Sequence, residues 1–260
     1  MMSESLADRI IIPEALVEAL RQAEHVAVLT GAGISAESGV PTFREAQKGL
    51  WAQYNPEDLA TQEAFERDPR RVWEWYAWRR KLIARAEPNP GHLALAQIEE
   101  RVPRFSLITQ NIDELHFRAG CKETIELHGS IGRSRCLSCD EVTREWVEGD
   151  ETPPRCPNCG GMLRPDVVWF GEALPFDALA RAVAAAHDAD LFFSVGTSGV
   201  VYPAAALPLE AIEYGATAVE INPEETPATV MMDFVLKGPA GRVLPQLVAA
   251  AWPEQAAPQQ

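Results

Sequence analysis

The chain has 260 residues, 47% of them apolar, and a formal net charge of −15. That length holds one large α/β domain with an insertion, or two small domains, and the apolar share is enough for a sizeable core. The acidity argues against a general nucleic-acid binder, which presents a basic surface, and suits basic partners such as lysine-rich polypeptides.

The first residues, MMSESLADRI, carry acidic side chains where a secretory leader would be basic and then apolar, so a cytoplasmic protein is expected. Pro13–Ala23 has helical spacing, with Leu16, Val17 and Leu20 on one face. His25–Leu29 is a short apolar run of the kind a buried parallel strand makes, and it opens into GAGISA at 31–36. The pattern G-x-G-x-x-A after a strand gives either a simple tight turn or a loop whose backbone approaches a pyrophosphate. The usual dinucleotide fold adds a ribose-binding acid about 20 residues on, at the next strand end. Here that region, from Pro41 to Glu87, lacks a strand pattern and is helical and aromatic, with Trp51, Trp73, Trp75, Tyr76 and Trp78. A standard dehydrogenase therefore fails its own check, and Asn222 and Glu224, at a much later strand end, become candidates for a ribose. Arg44, just past Pro41 and Phe43, reads as a surface charge or as a cation moving with a flexible segment beside a pyrophosphate. Tyr76 and Arg79 lie three apart on the predicted helix and share a face; packing for Tyr76 and solvation for Arg79 are the plain alternative.

PNPG at 88–91 breaks the pattern and His92–Glu100 begins a new helix. Phe105–Ile108 is the second strand and ends in TQNID at 109–113. Gln110, Asn111 and Asp113 form either an Asx-rich turn capping the next helix or, beside the glycine loop, a pocket that recognises an amide. His128, in LHGS at 127–130, is structural or a general base, since imidazole titrates near neutrality. Cys136-x2-Cys139 and Cys156-x2-Cys159 are separated by 16 residues, the spacing of a four-cysteine zinc ribbon. Four thiolates leave no open position on the metal, so the zinc would be structural. Cys121 stands apart as an ordinary thiol. Sheet elements resume with VVWFGE at 167–172, followed by a helix at Pro175–His187, Leu191–Val195 running into GTS, and Thr217–Ile221 running into NPE. The uncharged stretch Leu191–Leu209 is interrupted by Gly196, Gly199, Pro203 and Pro208, so it reads as strand, loop and helix start and not as a membrane span. The Ala-, Pro- and Gln-rich tail after Trp252 is expected to fray. Four polar motifs each end an apolar strand, and open α/β sheets bind ligands beyond the carboxyl ends of their strands, so the four point to one site.

Taken together, GAGISAESGVPTFR at 31–44, TQNID at 109–113, HG at 128–129, the four cysteines, VVWFGE at 167–172, GTS at 196–198 and IN at 221–222 resemble the sirtuins, NAD-dependent protein lysine deacylases. The match covers nearly the whole chain, in order. It implies an α/β fold: a Rossmann-like parallel-sheet domain from 1–41, 88–131 and 164–260, and a smaller lobe from a helical insertion at 42–87 and a zinc ribbon at 132–163. NAD and acyl-lysine would meet in the cleft between them. In the family's mechanism NAD is consumed: the acyl oxygen attacks the ribose C1′ as nicotinamide leaves, and a histidine, here His128, acts as general base on the ribose hydroxyls. Free lysine and O-acyl-ADP-ribose result.

The resemblance assigns Gly31, Ala32, Gly33, Ser35, Phe43, Arg44, Gln110, Ile112, Asp113, Gly196, Thr197, Ser198, Asn222, Glu224 and Ala240 to NAD, and Asn111 with His128 to the chemistry. Val168, Trp169, Phe170, Gly171 and Glu172 would pair in extended form with the substrate backbone. Tyr76 and Arg79 are similar to a Y-x-x-R pair in the branch that reads acidic acyl groups, and Ala46 resembles the small residue that widens its pocket. A guanidinium binds a carboxylate through paired charge-assisted hydrogen bonds and a phenol adds a donor, so succinyl-, malonyl- and glutaryl-lysine are expected ahead of acetyl-lysine. The partners implied are acylated-lysine proteins or peptides, with neither nucleic acid nor membrane; the oligomeric state stays open, and a monomer is compatible. The alternatives are a general deacetylase and a mono-ADP-ribosyltransferase using the same NAD activation. A non-catalytic NAD-sensing or zinc module is disfavoured by the intact His128 and Asn111.

Overall fold

The computed structural model describes residues 10–40, 59–146 and 151–253. Its centre is a six-stranded sheet of β1 (His25–Thr30), β2 (Arg104–Thr109), β3 (Thr124–Glu126), β7 (Leu191–Val195), β8 (Thr217–Asn222) and β9 (Phe234–Lys237). All neighbours are parallel, in the order β3-β2-β1-β7-β8-β9. The four predicted strands are the four central ones. The edge strands β3 and β9 are not distinguished in the sequence because they are short and half-exposed, with apolar runs of one and three residues.

Helices cover both faces of this sheet. Val26, Val28, Phe193 and Val195 point into one core with α1 (Glu14–Gln22), α5 (Pro90–Glu99) and α9 (Ala240–Ala251). Ala27, Leu29 and Phe192 point into the opposite core, against α7 (Phe176–Asp188) and α8 (Leu207–Glu213). Burial on both faces is why the strands read as unbroken apolar runs. At about 25 cal/mol per Å² of apolar surface, such two-sided burial is the main stabilising term of the large lobe.

A second sheet has three antiparallel strands in the order β5-β4-β6: β4 (Gly129–Cys136), β5 (Val142–Thr143) and β6 (Leu163–Val167). The sheet element expected at VVWFGE is realised only at its start, in this antiparallel sheet and not in the parallel one. Its first residue, Val167, closes β6 opposite Gly129, and the rest is loop with a single bridge from Phe170 to Thr61. Beside this small sheet lie α3 (Gln62–Arg67) and α4 (Pro69–Ile83), capped by Thr61 and Asp68 side chains. Their core joins Phe65, Val72, Trp75 and Tyr76 to Leu115, Ile131, Val167 and Trp169. Phe43, Arg44, Ala46 and Trp51 lie outside the described residues. No described helix is long and apolar enough to cross a membrane.

Candidate active site

The strand order reverses its direction of growth at β1, and the crevice at such a switch point is where open α/β sheets take their ligands. The polar motifs are tied together there. Gly31 N–H donates to Val195 O at 3.0 Å, Gly33 N–H to Gly196 O at 2.8 Å, and Gly196 N–H to Ile221 O at 2.9 Å. Gln110 Nε2 donates to Thr197 Oγ1 at 2.9 Å, Asn222 Nδ2 to Thr197 O at 3.2 Å, and Asn111 Nδ2 to Gly31 O at 3.0 Å.

This contact explains the glycines. A Cβ on Gly33 would fall 2.7 Å from Gly196 O, and one on Gly31 would fall 2.8 Å from the same oxygen. Sequence reasoning gives these glycines to a ligand's close approach; the structure adds that the loop of β7 already demands them. Gly196 itself has φ +59, where glycine carries no Cβ penalty. Ala32 and Ser35 sit on the short α2 (Ala32–Ala36), and Ser35 is buried. Glu37, just beyond, accepts from Gly241 N–H at 2.7 Å at the start of α9, where Ala240 is buried.

Asp113 is buried, accepting from Ser35 Oγ at 2.7 Å and from Leu115 N–H at 2.9 Å. Burial pushes its carboxyl up, while those two donors and the nearby Arg79 guanidinium pull it down. The Asx turn of the plain reading is thus real, since Asp113 accepts from the first N–H of α6 (Leu115–Arg118), whose N-cap is Glu114, and Asp113 also bonds Ser35 of α2. Beneath them lies a polar layer that the sequence reading did not single out. His116 Nε2 is 2.9 Å from Thr30 Oγ1, and Thr30 Oγ1 donates to Thr109 Oγ1, which accepts from Asn111 N–H. His92, the third residue of α5 in a capping box with Asn89, lies near His116 with ring centroids 4.9 Å apart and the rings tilted by 58°. Burial lowers both imidazoles, to about 4 for His92 and about 3 for His116, so both are neutral and act as hydrogen-bonding parts of the floor. The signal that could have found them is the placement of two histidines at the starts of the helices that follow the predicted loops.

His128 stands between the sheets. Its Nδ1 lies 2.9 Å from Gln110 O. A carbonyl only accepts, so Nδ1 carries the proton and Nε2 keeps its lone pair. Burial lowers its pKa from the ordinary 6.5, opposed by that hydrogen bond. Its own carbonyl accepts from Val168 N–H at 3.0 Å, and β4 begins at the next residue and leads to Cys136, with a register shift against β6 between Gly129 and Ser134.

In the segment 168–172, Phe170 N–H donates to Ala60 O at 2.9 Å and Glu172 N–H to Trp169 O at 3.0 Å. Arg164 holds the Glu172 carboxylate with both terminal nitrogens, at 2.5 and 2.9 Å, and lies 3.5 Å over the Trp169 ring. Gly171 takes φ +85, and Phe170 stays half-exposed. Ser198 and Glu224 are exposed at the ends of β7 and β8, and Ile112 O accepts from Ile131 N–H at 2.9 Å.

Tyr76 and Arg79 lie on α4, as the spacing predicts. Tyr76 is buried, and its hydroxyl lies 3.1 Å from Trp169 Nε1. An indole N–H only donates, so the Tyr76 oxygen accepts and its own proton remains to be given. Burial raises this phenol to about 12, against the pull of Arg79. The Arg79 guanidinium sits 5.0 Å over the Trp75 ring; burial lowers its pKa, while Tyr76 and Asp113 hold it up.

Cys136, Cys139, Cys156 and Cys159 bring their sulfurs within 4.8 Å of one another. Cys136 to Cys159 is 3.5 Å and Cys139 to Cys156 is 3.8 Å. A tetrahedral zinc with bonds of about 2.3 Å needs sulfurs about 3.8 Å apart, so the quartet fits that ion. Cys136 and Cys156 are buried with Leu163 against Trp73 of α4. Cys121 is buried elsewhere, its thiol pushed up to about 12.

The model of the Sir2 family matches residues 31–203. An NAD-dependent protein deacylase of Aquifex aeolicus is 57% identical over 214 residues, covering 82% of this chain and 89% of that protein. An NAD-dependent protein deacylase 1 of Pseudomonas aeruginosa is 50% identical over 247 residues, covering 92% of this chain and 99% of that protein. Among solved structures, a Sir2 homolog–NAD complex superposes with a TM-score of 0.88 at 46% identity, covering 93% of this chain and 94% of that one. A Sir2–p53 peptide–NAD+ structure gives 0.78 at 33% identity, covering 90% and 96%.

Proposed function

The chain belongs to the Sir2 family, and from that premise we propose that it is an NAD-dependent protein lysine deacylase that prefers acidic acyl groups: succinyl, malonyl and glutaryl before acetyl. Its two lobes hold the two substrates between them, and its setting is cytoplasmic. The observation that carries the deacylase reading is His128. Its proton is fixed on Nδ1 by Gln110 O, which leaves Nε2 a neutral base beside the joined ends of β1, β2 and β7.

Gly31, Ala32, Gly33, Ser35, Gln110, Ile112, Asp113, Gly196, Thr197, Ser198, Asn222, Glu224 and Ala240 would hold NAD, with Phe43 and Arg44. NAD supplies an electrophilic ribose carbon and a leaving nicotinamide. Asp113 and nearby backbone offer the acceptor and donor that a carboxamide needs. Asn111, its side chain anchored on Gly31 O, keeps the floor of the ribose site in place. His128 Nε2 takes the proton of a ribose hydroxyl, turning it into a nucleophile toward the acyl carbon. In the segment Val168–Glu172, the amides of Val168 and Phe170 are engaged within the protein, so pairing with a peptide falls to carbonyls such as that of Val168. Zinc bound by the four cysteines would fix the small lobe and take no part in the chemistry.

The acyl preference rests on the pair in α4. The Tyr76 hydroxyl keeps a proton to donate, and Arg79 presents a half-buried guanidinium beside it. A charge-assisted hydrogen bond contributes about 1.5–3 kcal/mol, and about 1.4 kcal/mol is tenfold. Arg79→Met should therefore lower kcat/KM on succinyl-lysine by about tenfold or more, with a much smaller fall on acetyl-lysine. Tyr76→Phe should move the ratio the same way by less. The electrostatic coupling of Arg79 to Asp113 supports a second reading, a general deacetylase in which Arg79 steadies the NAD floor. Equal losses on both peptides would establish that reading and remove the acidic-acyl one.

A further inference from the structure

Glu220 is the fourth residue of β8 and is only 1% exposed, a charged side chain inside the sheet of the large lobe. Burying a carboxylate is costly unless it is fully hydrogen-bonded. Two threonines meet it: Thr226 Oγ1 donates to Oε1 at 2.5 Å, and Thr229 Oγ1 donates to Oε2. Both belong to the connection 223–233, which follows Asn222 and contains Glu224. The same threonines order that loop internally, since Thr226 N–H donates to Thr229 Oγ1 at 2.7 Å and Ala228 N–H to Thr226 Oγ1 at 3.2 Å. Thr226 also lies against the chain just past the β7 motif: a Cβ on Gly199 would be 3.4 Å from Thr226 Cβ. Asp233 fastens the far end of the connection by accepting from Ala218 N–H, and the Lys237–Glu225 pair ties its near end to β9.

We infer that Glu220 is a positioning residue for NAD: it anchors the loop behind Asn222 and, through Thr226, holds the Gly196–Gly199 turn against the glycine loop. A sheet needs no carboxylate at this buried position, and an apolar residue there would leave both hydroxyls without an acceptor and the loop untethered. The inference rests on the NAD reading above and adds a residue that touches no substrate.

The test measures kcat and both KM values for the parent protein and for Glu220→Gln, Thr229→Val and the double variant, with NAD and a succinyl-lysine peptide varied in turn. Thr229→Val preserves side-chain shape on a partly exposed loop and serves as the variant that folds even if Glu220→Gln does not. The expected result is a rise in KM for NAD of about fivefold to tenfold in each single variant, with kcat at saturating NAD and KM for the peptide changing much less. The double variant should fall short of the product of the two single effects, because both changes remove the Glu220–Thr229 hydrogen bond. Unchanged KM for NAD in the folded variants, or parallel losses in kcat and both KM values, would overturn the assignment. Absence of NAD-dependent nicotinamide release from the parent protein would overturn the deacylase reading itself, and this assignment with it.

Discussion

His128→Ala should lower kcat for deacylation by about 10²–10⁴-fold, the range a positioned general base contributes, while the protein still folds and still binds NAD. Among the described residues its ring hydrogen-bonds to Gln110 O, outside the strand ladders, so its loss leaves the sheet intact. The pH profile of the parent protein gives an independent check. The base works only when neutral, so activity falls with decreasing pH as His128 takes up a proton. Burial places its pKa below the ordinary 6.5, and the acidic limb of kcat/KM should accordingly lie below that value. A limb above it, or near-parental turnover in His128→Ala, would assign the base to another residue.

Cys136→Ser should remove bound zinc and most of the small lobe's stability together. Metal-coupled folding of a four-cysteine site amounts to about 10–16 kcal/mol, comparable to or larger than the whole stability of a domain at about 5–15 kcal/mol. The consequences should reach the site, because β4 leads from the residue after His128 to Cys136, and Arg144 beside the module grips Glu114 at the end of the TQNID turn at 2.7 Å. Elemental analysis should give about one zinc per parent chain and none in the variant, with a lowered melting temperature. A metal-free variant that melts like the parent and keeps full activity would show that the cluster needs no metal.

The large lobe was legible because two-sided burial leaves a strong mark. His25–Thr30 and Leu191–Val195 are buried at every position, and no helix or edge strand reads that way. β3 and β9 leave no such mark. VVWFGE misled because Val167, Val168, Trp169 and Phe170 are apolar for different reasons: β6 pairing, a backbone bond to His128, a stacked Arg164, and half-exposure beside Ala60. The motif ends were legible as a site because their residue types are those that make tight backbone contacts. That Gly31 and Gly33 answer to Gly196 as well as to a ligand could not be read, since the contact joins segments more than 160 residues apart. The polar layer of His92, His116, Thr30 and Thr109, and the buried Glu220, were hidden for the same reason. Each is an isolated polar residue whose partners come from elsewhere in the chain.

The most direct test of the central claim is mass spectrometry of matched acetyl- and succinyl-lysine peptides incubated with the protein and NAD. The account predicts faster loss of succinyl than of acetyl, strictly dependent on NAD, with equimolar nicotinamide and O-succinyl-ADP-ribose. Acyl groups left intact in the presence of NAD, or ADP-ribose carried on the peptide in place of acyl loss, would contradict it.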